Sequence, residues 1–191
     1  MSTREIGEKG LIEHERRWLV HDFDHAVLHG QPIHILQGYF GVEGLQSLRV
    51  RIVNRKEAVI TSKRGAGEKR IERETSIPLD AAEILYGALQ YTLEKHRYRI
   101  HGWELDIFLG TLNRVVFLEY ETKDGVFPPL PPWIWSATEV TEFFTNLQLA
   151  QLAHRLGANA SESVREHVRS LAQASSPQAV FKTVDWEPNC S

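Results

Sequence analysis

The chain has 191 residues, 42% of them hydrophobic and 25% charged, the composition of a globular protein able to bury one substantial core. Its 22 basic residues stand against 25 acidic ones, and the resulting net charge of -3 gives no general reason to expect a nucleic-acid or membrane partner. The polar start MSTREIGEKG and the lack of an apolar run approaching about 18 residues predict neither signal peptide nor membrane span, and the single cysteine, Cys190, excludes an internal disulfide and a cysteine-based zinc site. These features together predict a cytoplasmic protein.

Alternation and β-branched or aromatic content predict eight strands, at about 11–20, 33–41, 46–54, 57–64, 70–77, 92–100, 102–109 and 114–122. On the first, Glu13, Glu15 and Arg17 share a face, because residues two apart on a strand point the same way. Two acids there suit a metal and the cation suits a phosphate oxygen, while His14 points away and reads as structural. Taken alone, the segment also fits a solvated edge strand. QGYF at 37–40 places the Tyr39 phenol at the rim of the same site. LRVR at 48–51 pairs Arg49 with Arg51, and Lys63 closes the next strand. Glu72 and Glu74 follow on 70–77, a segment that can also be drawn as a helix. A helix is predicted over 80–90, after Pro78, with Asp80 as its N-cap. Lys95 and Arg97 form a second basic pair, WELDIF brings Glu104 and Asp106, and Glu119 and Glu121 complete the series.

Like charges side by side on a strand repel, and solvated faces usually mix signs to avoid that. Acidic pairs suit hard divalent cations and basic pairs suit phosphate oxygens. The repeated pattern therefore predicts a polyphosphate–metal site lined by strands. No HExxH, GxSxG or GxxxxGK[ST] motif offers a competing chemistry.

Beyond Gly125, the proline-rich FPPLPPWIW reads as a loop or extended cover rather than a ladder strand. A helix is predicted over 138–156, from the stripe Val140, Phe143, Phe144, Leu147, Ala150 and Leu152, with Gly157 as its stop. A second helix over 161–173 opens with Ser161 as cap, and 174–191 reads as a loose extension. Residues 1–157 would then form the main domain, and 158–191 a short helix with a tail. Short connections favour antiparallel neighbours. Charged faces favour closure, so the predicted fold is α+β, mainly β, an eight-stranded antiparallel barrel with helices packed outside.

Glu13-x-Glu15-x-Arg17, QGYF, LRVR, ITSK at 60–63, Glu72-x-Glu74, KHRY at 95–98, WELDIF at 103–108 and LEYE at 118–121 occur in the order of a known family. Over about residues 11–155 the chain resembles the CYTH, or triphosphate tunnel metalloenzyme, superfamily, in particular its short bacterial members. The resemblance implies a tunnel that binds a linear triphosphate with Mg²⁺ or Mn²⁺. Glu13, Glu15, Glu119 and Glu121 would be metal ligands, and Glu72 and Glu74 would orient the metal or the attacking water. Arg49, Arg51, Lys63, Lys95 and Arg97 would cradle the phosphates, with Asp106 supporting a basic residue. Arg17 stands where the family has a lysine that works with the QGY tyrosine, here Tyr39, as an acid–base pair. Arginine holds its proton too firmly for that role, which leaves weak activity, activity shifted to higher pH, or none as the outcomes. Ser47 likewise replaces an expected acid. The implied activity is hydrolysis of inorganic tripolyphosphate or a related triphosphate. Its alternatives are a class IV-type adenylate cyclase, or a polyphosphate- or nucleotide-binding module with little turnover. The implied partner is a small-molecule triphosphate, with no nucleic acid or membrane; oligomeric state stays open, a homodimer included.

Overall fold

Short turns between alternating segments make each strand antiparallel to its neighbour. In the computed structural model, which describes residues 14–41, 47–64, 71–141 and 143–174, nine such strands join in one sheet. They are β1 (His14–Phe23), β2 (Ile33–Phe40), β3 (Ser47–Val53), β4 (Glu57–Arg64), β5 (Ile71–Ser76), β6 (Tyr91–Ile100), β7 (Trp103–Phe108), β8 (Val116–Thr122) and β9 (Ile134–Glu139). Three helices accompany them: α1 (Leu79–Ala88), α2 (Asn146–Leu156) and α3 (Ala160–Ala174). The sheet order is β5-β4-β3-β2-β6-β7-β8-β1-β9.

The fold is α+β and mainly β, with the eight predicted strands in place, but the predicted barrel closure is not present. Among the described residues no pairing joins β5 to the other end of the sheet. Along Trp18–Phe23 the side of β1 facing away from β8 is already taken by β9. The expected loop over FPPLPPWIW, 127–135, holds as far as Trp133, but Ile134 and Trp135 open this ninth strand. All four local prolines, Pro128, Pro129, Pro131 and Pro132, fall before Ile134, so from there the backbone has the amides that an edge strand needs. The sheet nevertheless coils strongly. In a flat sheet β1 and β2 would lie four ladder spacings, about 19 Å, apart, yet the Arg17 charge on β1 acts on the Tyr39 phenol on β2.

Four strands change character along one face, the switch stepping along from strand to strand: Phe117 lies opposite Asp106, and Phe108 opposite Lys95. From β1 the face presents Glu15, Arg17 and then Leu19; from β8, Glu121, Glu119 and then Phe117. From β7 it presents Glu104, Asp106 and Phe108, and from β6, Arg97, Lys95 and Leu93. The apolar end is covered by α2 and α3. Leu19, Tyr39, Leu93, Phe108 and Phe117 pack with Phe144, Leu149, Ala150, Leu152, Ala160, Val164 and Val168 in one buried cluster. This corrects the expectation that all helices lie outside. Only α1 packs against the opposite face, where Val50, Ile52 and Ala58 meet Ala82. A third cluster on that opposite face, Trp18, Val20, Trp103, Leu105 and Leu118, is covered by Trp133, Ile134 and Ala137.

Helix starts also differ from expectation. The α1 N-cap is Pro78, and Asp80 lies in the first turn, its Oδ1 accepting from the Ala81 amide at 2.8 Å. Instead of starting near 138, α2 starts at Asn146. There the Thr145 side chain and Gln148 form a reciprocal capping box, which satisfies amides that otherwise lack partners. Residues 140 and 141 stay out of the helix because they are bonded to β1: the Val140 amide donates to the Arg17 carbonyl at 2.8 Å, and the Arg17 amide to Thr141 Oγ1 at 3.1 Å. Ser161 sits inside α3, its hydroxyl within 2.9 Å of the Thr111 carbonyl and 2.8 Å of the Asn113 carbonyl.

Candidate phosphate and metal site

Antiparallel register puts directly opposed residues on the same face, and this gathers the predicted site residues. Glu15 lies opposite Glu121 and Arg17 opposite Glu119. Arg97 lies opposite Asp106, Tyr39 opposite Arg49, Thr61 opposite both Arg49 and Glu74, and Lys63 opposite Glu72. Glu13 lies outside the described residues.

Asp106 is the buried anchor of the basic side. It is fully buried and accepts from Lys95 Nζ at 2.5 Å and from Arg97 Nε and Nη2, both at 2.6 Å. Burial works against its charge, but Lys95 and Arg97 outweigh that and lower its pKa to about 2. Lys95, 1% exposed, is pushed down by burial despite Asp106. It is held under the surface of the site rather than presented at it. Arg97 continues outward, donating to Glu119 Oε2 at 3.0 Å and to Glu104. Its guanidinium is thereby fixed from three sides, and its pKa stays raised although burial opposes it.

The β3 arginines have a different environment. Arg49 and Arg51 are half-buried, and among the described residues neither is ion-paired with a carboxylate within 4 Å. Arg49 Nε is buried without a hydrogen bond. The Gln37 amide lies against Arg51, and in the orientation that puts its oxygen there it accepts from Nε at 3.2 Å and Nη2 at 3.3 Å. Burial lowers the Arg51 pKa, and repulsion from Arg49 and Arg97 lowers it further. Glu74 takes a hydrogen bond from Thr61 at 3.1 Å. Among the described residues, this corner holds more positive charge than its acids balance.

Tyr39 lies in that corner, not at a rim. It is 3% exposed, its hydroxyl makes no hydrogen bond of regular geometry, and α2 covers its end of the sheet. Burial raises its pKa; Arg49, Arg51 and Arg17 pull the other way without winning. The phenol is therefore neutral near pH 7, and Arg17 does not leave it with a lowered pKa.

Arg17 faces mostly acids. It is 7% exposed, with Nη2 at 2.9 Å from Glu15 Oε1 and 2.8 Å from Glu119 Oε1, and Nη1 donating to the Phe144 carbonyl. Burial opposes its charge, but Glu119, Glu15 and Asp106 outweigh burial and raise its pKa.

The donor chemistry fits a hard divalent cation. Glu15 and Glu121 oppose one another directly, Glu119 is the next residue on the same face of β8, and Glu119 Oε1, buried and 2.8 Å from Arg17 Nη2, makes no hydrogen bond of regular geometry. Opposed carboxylates repel unless a cation joins them. Among the described residues no three such side chains are drawn together around one point. Arginines hold two of these carboxylates instead.

The geometry defines a polyanion-binding face with oxygen donors suited to a hard cation. The inorganic triphosphatase of Acetivibrio thermocellus is 37% identical to the chain over 106 residues, covering 51% of this chain and 67% of that protein. The chain belongs to the CYTH, or triphosphate tunnel metalloenzyme, superfamily. No family model matches the sequence. A putative adenylate cyclase from Vibrio parahaemolyticus aligns with 15% identity and a TM-score of 0.41, over 86% of this chain and 88% of that one, a likeness too distant to bear on activity.

Two participants were not assigned from sequence. Glu104 holds Arg97 and Arg99, and its place on the face was readable from its spacing to Asp106. The Phe144 carbonyl, which takes Arg17, carries no sequence signal, because any residue supplies a carbonyl.

Proposed function

We propose that the chain hydrolyses inorganic tripolyphosphate, or a closely related triphosphate, on this face with Mg²⁺ or Mn²⁺. One observation carries the reading: half-buried arginines of β3, ion-paired with no carboxylate among the described residues, stand on the same face as the opposed carboxylates of β1 and β8. Such a face attracts a ligand that is itself an anion and arrives with a cation.

Arg49 and Arg51 hold phosphate oxygens, which guanidinium forks bind bidentately, and Lys63 adds a point charge. Arg97, held by Asp106, Glu104 and Glu119, offers a charge that need not reorganise during reaction. The neutral Tyr39 hydroxyl is a donor for a phosphate oxygen. Glu13, Glu15, Glu119 and Glu121 hold the divalent ion, with Glu72 and Glu74 orienting that ion or the water. When bound, the ion neutralises phosphate charge and polarises water. Water attacks the terminal phosphorus, the bridging P–O bond breaks, and pyrophosphate leaves. Among the described residues no helix is long and apolar enough to cross a membrane.

The test is phosphorus NMR of the products from tripolyphosphate, ATP and thiamine triphosphate with Mg²⁺ or Mn²⁺. Phosphate and pyrophosphate from tripolyphosphate are expected. Cyclic AMP and pyrophosphate from ATP would replace the hydrolase reading by a cyclase, and binding without products would leave a binding module.

A further inference from the structure

One guanidinium occupies the place where the acids of β1 and β8 converge. Arg17 Nη2 sits 2.9 Å from Glu15 Oε1 and 2.8 Å from Glu119 Oε1, bridging carboxylates on neighbouring strands. Its Nη1 donates to the Phe144 carbonyl just before α2, and its backbone is bonded to Val140 and Thr141. The side chain is thus tied to the carboxylates at one end of its fork and to the segment leading into α2 at the other.

We infer that Arg17 is an internal counter-ion, which holds Glu15 and Glu119 together in the absence of metal and which a divalent ion must displace to bind them. The inference rests on the reading that these glutamates take the cation. Two cations cannot both sit between the same pair of carboxylates, so metal affinity is reduced by whatever the Arg17 contacts contribute. Hydrogen bonds to charged groups are among the stronger ones, and arginine cannot yield by losing its proton. Displacing the fork also frees the Phe144 carbonyl, which couples cation binding to the entry of α2. The arrangement sets a threshold of divalent ion below which the site stays closed by its own arginine.

The test is Mn²⁺ binding to the full chain, read from the electron paramagnetic resonance of free Mn²⁺, for wild type, Arg17→Met and Arg17→Lys. Arg17→Met should bind Mn²⁺ roughly tenfold or more tightly, the low end of what hydrogen bonds to charged groups contribute. Arg17→Lys, whose ammonium is one point rather than a fork, should fall between. If Arg17→Met does not fold by circular dichroism, tighter binding by Arg17→Lys supports the inference and unchanged binding overturns it. Unchanged or weaker Mn²⁺ binding in folded Arg17→Met overturns it while leaving the metal reading intact. An absence of Mn²⁺ binding in all three forms overturns both.

Discussion

Asp106 shows how much one residue can set. It is fully buried between Lys95 and Arg97, and its pKa is lowered to about 2. A carboxyl with a depressed folded-state pKa stabilises the fold above its unfolded value, near 4, and loses that contribution as pH falls toward its folded value. Acidification from about pH 4 to 2 should therefore remove on the order of 2 kcal/mol of stability through this group. Urea unfolding over that range should show the loss in wild type. Asp106→Asn, less stable at pH 7 because Lys95 and Arg97 lose their counter-charge, should show a shallower acid limb. An identical acid limb in the variant would remove Asp106 from this role. Alternation alone showed which side chains share a face, since two-residue spacing is a property of any strand. It did not show which charges pair, because that depends on strands brought together by register. Tyr39 is the clearest miss: its neighbours on β2 could not reveal that α2 would bury it.

Elements were legible where their signal was local. Alternation located eight strands, and the Asn54–Lys56 turn between β3 and β4 takes left-handed φ at Asn54 (51°) and Arg55 (53°), as a tight hairpin requires. What failed depended on partners. β9 became a strand because β1 had an open side, and α2 began late because Thr145 and Gln148 cap it there while residues 140 and 141 are held by β1. The glycine of QGYF has an element-level reason as well. A Cβ on Gly38 would meet Leu89 Cδ1 at 2.6 Å and Tyr86 Cδ2 at 3.3 Å, so this glycine lets the end of α1 lie close on β2. Gly38→Ala should cost about 1–3 kcal/mol, the usual range for overpacking. Thermal or urea denaturation should read this as a lower midpoint. An unchanged midpoint would mean that Leu89 moves aside freely and the close approach is not needed.

At the scale of the molecule, the sheet separates its tasks along its strands. One end of the inner face is apolar and sealed by α2 and α3; the other is charged, with acids on β1 and β8 and, on β3, arginines that pair with no carboxylate among the described residues. The charge pattern was readable because it repeats on strand after strand. Closure was not, because whether the two ends of a sheet meet depends on accumulated twist and on which strand takes the last edge. The account's central claim is that triphosphate binds on the charged face through the β3 arginines. Titration calorimetry of tripolyphosphate with Mg²⁺ tests it most directly, comparing wild type with Arg51→Ala and with Arg55→Ala, whose arginine lies in the turn. The account predicts that Arg51→Ala weakens binding by roughly 1.5–3 kcal/mol while Arg55→Ala leaves it unchanged. Equal losses from both, or no loss from Arg51→Ala, would contradict it.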